Sequence, residues 1–172
     1  MDRAVVRRGL CPLQPPRRSM KPNLFFCLLA FCLTLAACAQ QPAEPQPPEI
    51  IYGQDLCDNC GMIISEAKYA AATLLVEGGS HKFDDISDMV IYHLDHPNEV
   101  VKAWFVHDYN SEAWIRGETA TYVRGDINTP MGGGIVAFEN KAEAESVAAE
   151  VNGKVMNFDE MRVEVHVVIH GQ

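Results

Sequence analysis

The chain has 172 residues, 48% of them hydrophobic, and a formal net charge of −9. That length leaves room for one ordinary domain or two very small ones sharing a core. The acid excess repels nucleic acid and anionic lipid headgroups, which excludes a protein built to grip phosphate backbones.

A basic stretch with Arg17, Arg18 and Lys21 leads into an apolar run from Leu24 to Ala36, which ends in Leu35-Ala36-Ala37-Cys38. The run has 13 residues, too short for a membrane-spanning helix of about 20 residues. This order of charge, apolar run, small residues and cysteine predicts a lipoprotein signal peptide at 1–37, cleaved before a lipid-bearing Cys38. Met20 offers an alternative start, because Met20-Lys21-Pro22-Asn23 opens a normal short leader. Neither Arg7-Arg8 nor Arg17-Arg18 leads into a twin-arginine motif. Residues 1–37 hold six of the 14 basic side chains and one of the 23 acidic ones, so processing leaves 8 against 22, a net of −14. The expected location is a membrane-anchored lipoprotein facing the periplasm or extracytoplasmic surface. Ala39 is not an acidic retention signal, so the outer membrane is open to it.

Residues 38–49 carry four prolines between Gln40 and Glu49. They predict a stiff tether, long enough at ~3.1 Å per residue to hold a domain roughly 30 Å from the membrane. The folded domain is expected over 50–172. Ala70 to Val76 reads as a strand, Gly78-Gly79 as a hairpin turn and Ser80 to Phe83 as the returning strand. Asp84-Asp85 cap a helix whose apolar positions are Ile86, Met89, Val90 and Leu94, and Pro97 ends it. Val100 to Tyr109 is the next strand. The pattern then returns. Thr119 to Arg124 is a strand, Gly125 to Gly134 a loop and Ile135 to Phe138 a strand. Asn140 caps a helix, with Glu143 as its capping-box partner and Ala144, Val147, Ala148 and Val151 as its buried stripe. Asn152-Gly153 stops that helix, and Val155 to Phe158 is a strand. The fold class is therefore α+β, with two consecutive β-β-α-β units near 70–109 and 119–158 in mainly antiparallel sheet. Val163 to Ile169 reads as a further strand or a partly ordered tail.

Of six cysteines, Cys11, Cys27 and Cys32 leave with the signal and Cys38 takes the lipid. Cys57 and Cys60 remain, in a compartment where thiols oxidise. Gly61 stands where haem attachment needs His. A zinc ribbon needs a second ligand pair. A thioredoxin-like site, a structural disulfide and a copper(I) site all stay open. Copper(I) favours thiolate and thioether donors. Met62 shares a face with Cys60 if the segment is extended. Met131, between Pro130 and three glycines, is set in a loop where a methionine is not core filler. Any of the six histidines is a possible third donor, though surface or packing roles fit each. Asp84, Asp85 and Asp88 read as a solvated helix N-terminus. Trp104, Tyr109, Trp114 and Tyr122 read as core or interface. No nucleophilic triad or phosphate loop is visible.

The lipobox, the proline spacer, CDNCGMII at 57–64, HKFDDISDM at 81–89, VHDYNSEAWI at 106–115, ATYV at 120–123 and TPMGGGIVAF at 129–138 together resemble the NosL family. The resemblance runs from about Cys57 to Phe158. It implies two β-β-α-β units and one copper(I) ion per chain, bound by Cys, Met and His donors. Matched by motif, these are Cys60, Met62 and Met131, with Cys57 as a further candidate. No histidine lies in either specific motif. The resemblance also implies a non-enzymatic role, delivering copper for the tetranuclear copper-sulfide centre of nitrous oxide reductase. Partners would be the maturation machinery, a membrane transporter and a periplasmic acceptor protein. Two alternatives are a copper-binding lipoprotein with another client and a periplasmic thiol-disulfide reductase that uses Cys57 and Cys60.

Overall fold

The computed structural model describes residues 44–170. The expected signal peptide, both arginine pairs, Met20 and Cys38 lie outside the described residues. Residues 44–49, the end of the proline-rich stretch, have no regular secondary structure, and Ile50 is the first residue buried in the core.

Strands β1 (Ala71–Leu75), β2 (Ser80–Phe83), β3 (Val101–His107) and β4 (Trp114–Arg116) form an antiparallel sheet in the order β2-β1-β3-β4. Strands β5 (Thr121–Arg124), β6 (Ile135–Phe138) and β7 (Lys154–Met156) form a second, in the order β6-β5-β7. Helix α1 (Ile86–Asp95) follows β2, and α2 (Lys141–Glu150) follows β6. Each unit thus places its first strand in the middle, its second on one side and its post-helix strand on the other. This is the expected α+β class. The sheets meet where Tyr109 N–H donates to Ala137 O at 2.8 Å, beside a parallel bridge between Asp108 and Ala137.

Strand alternation sets the layers. Ala71, Phe83 and Val106 face a central core with Tyr122, Ile135 and Ala137 of the other sheet, and with Ile86, Met89 and Val90 of α1. Val123, Val136 and Phe138 point the other way, onto Ala144 and Ala148 of α2. That second buried face is why β6 is buried at every position. Each large apolar side chain so enclosed contributes about 1.5–3 kcal/mol. Tyr122 is fully buried and donates its hydroxyl to Gly117 O at 2.8 Å. Trp104, Tyr109 and Trp114 are half-buried.

The chain's end departs from expectation. Val163 to Ile169 is neither strand nor tail: it belongs to helix α3 (Phe158–His170), which lies against α1. Phe158, Met161 and Val165, at i, i+3 and i+7, are its buried face. The strand expected to reach Phe158 accordingly stops at Met156. The short strand Trp114–Arg116 gave no sequence signal. Asn140 does cap α2, accepting from Ala142 N–H at 2.9 Å, but Glu143 closes no capping box and accepts instead from Asn110 Nδ2 at 2.6 Å. Among the described residues, no helix is long and apolar enough to cross a membrane.

Candidate metal centre

The Cys57–Met62 segment is a tight loop. An antiparallel bridge pairs Leu56 with Ile63, Cys57 N–H donates to Met62 O at 2.8 Å, and Gly61 N–H donates to Cys57 O at 2.9 Å. Gly61 sits at φ +73, a conformation that favours glycine. Asp58 docks the loop on β2: its N–H donates to Lys82 O at 2.9 Å, its Oδ2 accepts from Lys82 N–H at 2.9 Å, and the same oxygen lies 3.1 Å from His81 Nδ1. The Lys82 ammonium also pairs with Asp55 at 2.7 Å.

This docking turns both cysteines toward the start of α1. The Cys57 thiol donates to Asp88 Oδ2 at 3.3 Å, and the Cys60 thiol lies 3.7 and 3.8 Å from the two oxygens of Asp84. One ligand atom from each of Cys57, Cys60, Asp84 and Asp88 lies within 4.8 Å of the others. Both cysteines are free thiols, Cys57 buried and Cys60 half-buried. The acidic turn is therefore not a solvated helix end: Asp84, Asp85 and Asp88 are 3%, 0% and 1% exposed. Asp85 caps the helix, accepting from Ser87 N–H at 2.8 Å. Asp84, just before the cap, and Asp88, in the first turn, receive the thiols. These two carboxylates are the functional candidates that sequence reasoning missed. The available signal was surplus, since one cap suffices and three acids crowd five positions.

Burial dominates the electrostatics. It pushes both thiols above the ordinary cysteine range, Cys57 most strongly. It also raises the Asp88 carboxyl, against the opposing pull of the hydrogen bonds from Cys60 and Cys57. In the metal-free protein the thiols are protonated, so an incoming ion must displace their protons. The thiolates suit copper(I), while the carboxylates are harder donors.

Met131 approaches the same helix end from the second unit. Its N–H donates to Asp85 Oδ2 at 3.2 Å. The buried Thr129 holds the loop's base, its carbonyl accepting from Gly132 N–H at 3.0 Å and its hydroxyl from Gly134 N–H at 3.2 Å. Met131 is 41% exposed, as a methionine in that loop should be. It lines a cleft of about 220 Å³ together with Asp88, which also belongs to the thiol cluster. The first turn of α1 thus carries both the two thiols and the methionine loop. Met62 follows the left-handed Gly61, so it leaves a turn and not an extended run, and it is 52% exposed.

Among the described residues, no histidine joins the thiol–carboxylate cluster. His81 lies between Asp58 and Glu99, 2.9 Å from the latter. His93 lies 2.9 Å from Thr73 Oγ1, and His96 stacks on Tyr92. The buried His107 lies between the Tyr52 hydroxyl at 2.8 Å and Glu112 O at 2.7 Å.

The profile of the NosL family matches residues 48–166, which include the thiol loop, the acidic turn and the glycine-rich loop. This chain belongs to the NosL family. It is similar to a copper-binding lipoprotein NosL of Stutzerimonas stutzeri, 27% identical over 149 residues, covering 81% of this chain and 78% of the relative. It also resembles the crystal structure of the copper chaperone NosL from Shewanella denitrificans, with a TM-score of 0.60 and 27% identity, covering 68% of this chain and 96% of that one. NosL relatives are thus named as copper-binding proteins and chaperones.

Proposed function

We propose that this NosL protein is a lipid-anchored copper(I) chaperone. It is attached through Cys38 to a membrane facing the periplasm, the outer membrane included, and carries one copper(I) ion per chain. The observation that carries the reading is the pair of free thiols turned onto the same helix end as the Met131 loop. Copper(I) is soft: Cys60 and Cys57 supply affinity as thiolates, and the thioethers of Met131 and Met62 supply weaker, neutral donors suited to handover. Met131 and Met62 are exposed, so an acceptor's ligands can approach. The client is nitrous oxide reductase, whose tetranuclear copper-sulfide centre receives the ion through a membrane transporter and a periplasmic acceptor protein. That the relative from Stutzerimonas stutzeri is a lipoprotein supports the anchor.

The test is anaerobic copper(I) titration against a copper(I)-specific chelator. One equivalent binds, Cys60→Ser abolishes binding and Met131→Ala weakens it. Unchanged affinity in both variants removes the site. For the client, nitrous oxide reductase is purified from cells with and without this protein, and the spectra of its copper-sulfide centre are compared. An unchanged centre leaves a copper-binding lipoprotein with another client. A thiol-disulfide reductase needs an exposed thiol of lowered pKa, and the burial that raises both thiols weighs against it.

Asp84 and Asp88 favour a second reading. Two thiolates and two carboxylates together form a donor set that a borderline divalent ion such as zinc accepts. Zinc that remains bound after copper(I) extraction, and is lost in Asp84→Ala, supports it.

A further inference from the structure

We propose that Asp85 is the positioning residue of the copper site: its carboxylate ties the Met131 loop to the helix end where the two thiols sit. The inference rests on Met131 being a copper donor. Asp85 has no exposed surface and divides its two oxygens between tasks. Oδ1 accepts from Ser87 N–H at 2.8 Å and from the Ser87 hydroxyl, which is ordinary helix capping. Oδ2 accepts from Met131 N–H at 3.2 Å, reaching 46 residues along the chain.

Capping alone does not require aspartate, because Asn, Ser and Thr serve as well. Only a carboxylate accepts on both sides. The segment it holds is Met131-Gly132-Gly133-Gly134. Three successive glycines make this stretch among the most expensive to order, so a thioether carried there needs an external anchor to stay near the thiols. A second contact points the same way. A methyl group on Gly133 would collide with Ser87 Oγ and lie 2.9 Å from Ser87 Cβ, so the loop is pressed directly onto the capped turn. Asp84 and Asp88, on either side of the cap, face the cysteines. One turn of helix therefore registers Met131 against Cys57 and Cys60.

The test compares the wild-type protein with Asp85→Asn, Met131→Ala and the double variant. Asparagine keeps one acceptor for the cap but turns an amide NH₂ toward Met131 N–H, donor against donor. In the metal-free Asp85→Asn protein, hydrogen exchange at the Met131 amide speeds up about tenfold or more while the melting temperature stays near wild type, and copper(I) affinity falls about tenfold. In the Met131→Ala background, Asp85→Asn causes no further loss of affinity. Wild-type affinity in Asp85→Asn beside weakened Met131→Ala overturns the positioning role and leaves the copper reading standing. An equal loss in both backgrounds also overturns it, since the carboxylate then acts by another route. Unchanged affinity in Met131→Ala removes the donor and the tether together. If Asp85→Asn does not fold, Gly133→Ala lifts the loop by pressing on the Ser87 side chain, while the Asp85 carboxylate and the Ser87 N–H it caps are kept. Its affinity loss is recovered in Gly133→Ala/Ser87→Gly, and failure to recover overturns the proposal.

Discussion

The Cys57 thiol donates to the Asp88 carboxylate at 3.3 Å, a buried contact between positions 31 residues apart. It ties the loop that precedes the first sheet to the helix that follows its first hairpin. Asp88→Ala leaves the thiol without its acceptor and opens a void beside it, a cost of about 1–3 kcal/mol. Urea denaturation of the metal-free protein measures this. A midpoint equal to wild type would show that the contact contributes nothing to the fold.

The two thiols differ in access, and their chemistry should differ accordingly. Cys57 is 2% exposed and Cys60 half-buried, and burial raises both pKa values, that of Cys57 most strongly. In metal-free protein at neutral pH, iodoacetamide therefore modifies Cys60 first, and Cys57 follows only as the chain opens. A mass-spectrometric time course that resolves the two peptides decides the order. Fast, equal labelling contradicts the buried geometry.

His93 gives the fold a pH limit. Burial lowers its pKa to about 4 from the ordinary 6.5, and its Nδ1 is buried without a hydrogen-bond partner. The folded protein therefore binds fewer protons there than the unfolded chain. The stability from neutral His93 is fully present above about pH 6.5 and is lost as pH falls from there toward 4. Denaturation midpoints across that window should drop in the wild type and flatten in His93→Gln. A parallel drop in both assigns the acid sensitivity elsewhere.

The Tyr122 hydroxyl is a clean probe of the central core, being fully enclosed with a single acceptor, Gly117 O, at 2.8 Å. Tyr122→Phe keeps the ring and removes the donor, and should cost about 1 kcal/mol. Thermal unfolding of the two proteins checks it, and a more stable variant contradicts the bond's contribution.

The repeat was legible because its signals are local. Asp85 and Asn140 cap, Gly78-Gly79 turns with φ of +94 and +93, and each capped helix carries its apolar stripe. The terminal helix was not legible, because Val163, Val165, Val167, Val168 and Ile169 are β-branched and favour strand in isolation. Packing of Met161 and Val165 into the central core overrides that preference. At the site, the Cys pair and the exposed Met131 stood out as residue types. The carboxylates did not, since Asp84 lies 24 residues from Cys60 and it is the docking of the thiol loop onto β2, through Asp58 and Asp55, that brings the two stretches together. Gly61 shows the limit of reading spacing alone: one left-handed residue makes a turn where spacing allowed an extended run.

Cys57 belongs to the main apolar cluster, packed among residues that hold the two sheets together. An ion held by the Cys57 sulfur would therefore stabilise the whole body, because the unfolded chain lacks the site, and metal-loaded protein is expected to outlast metal-free protein under protease.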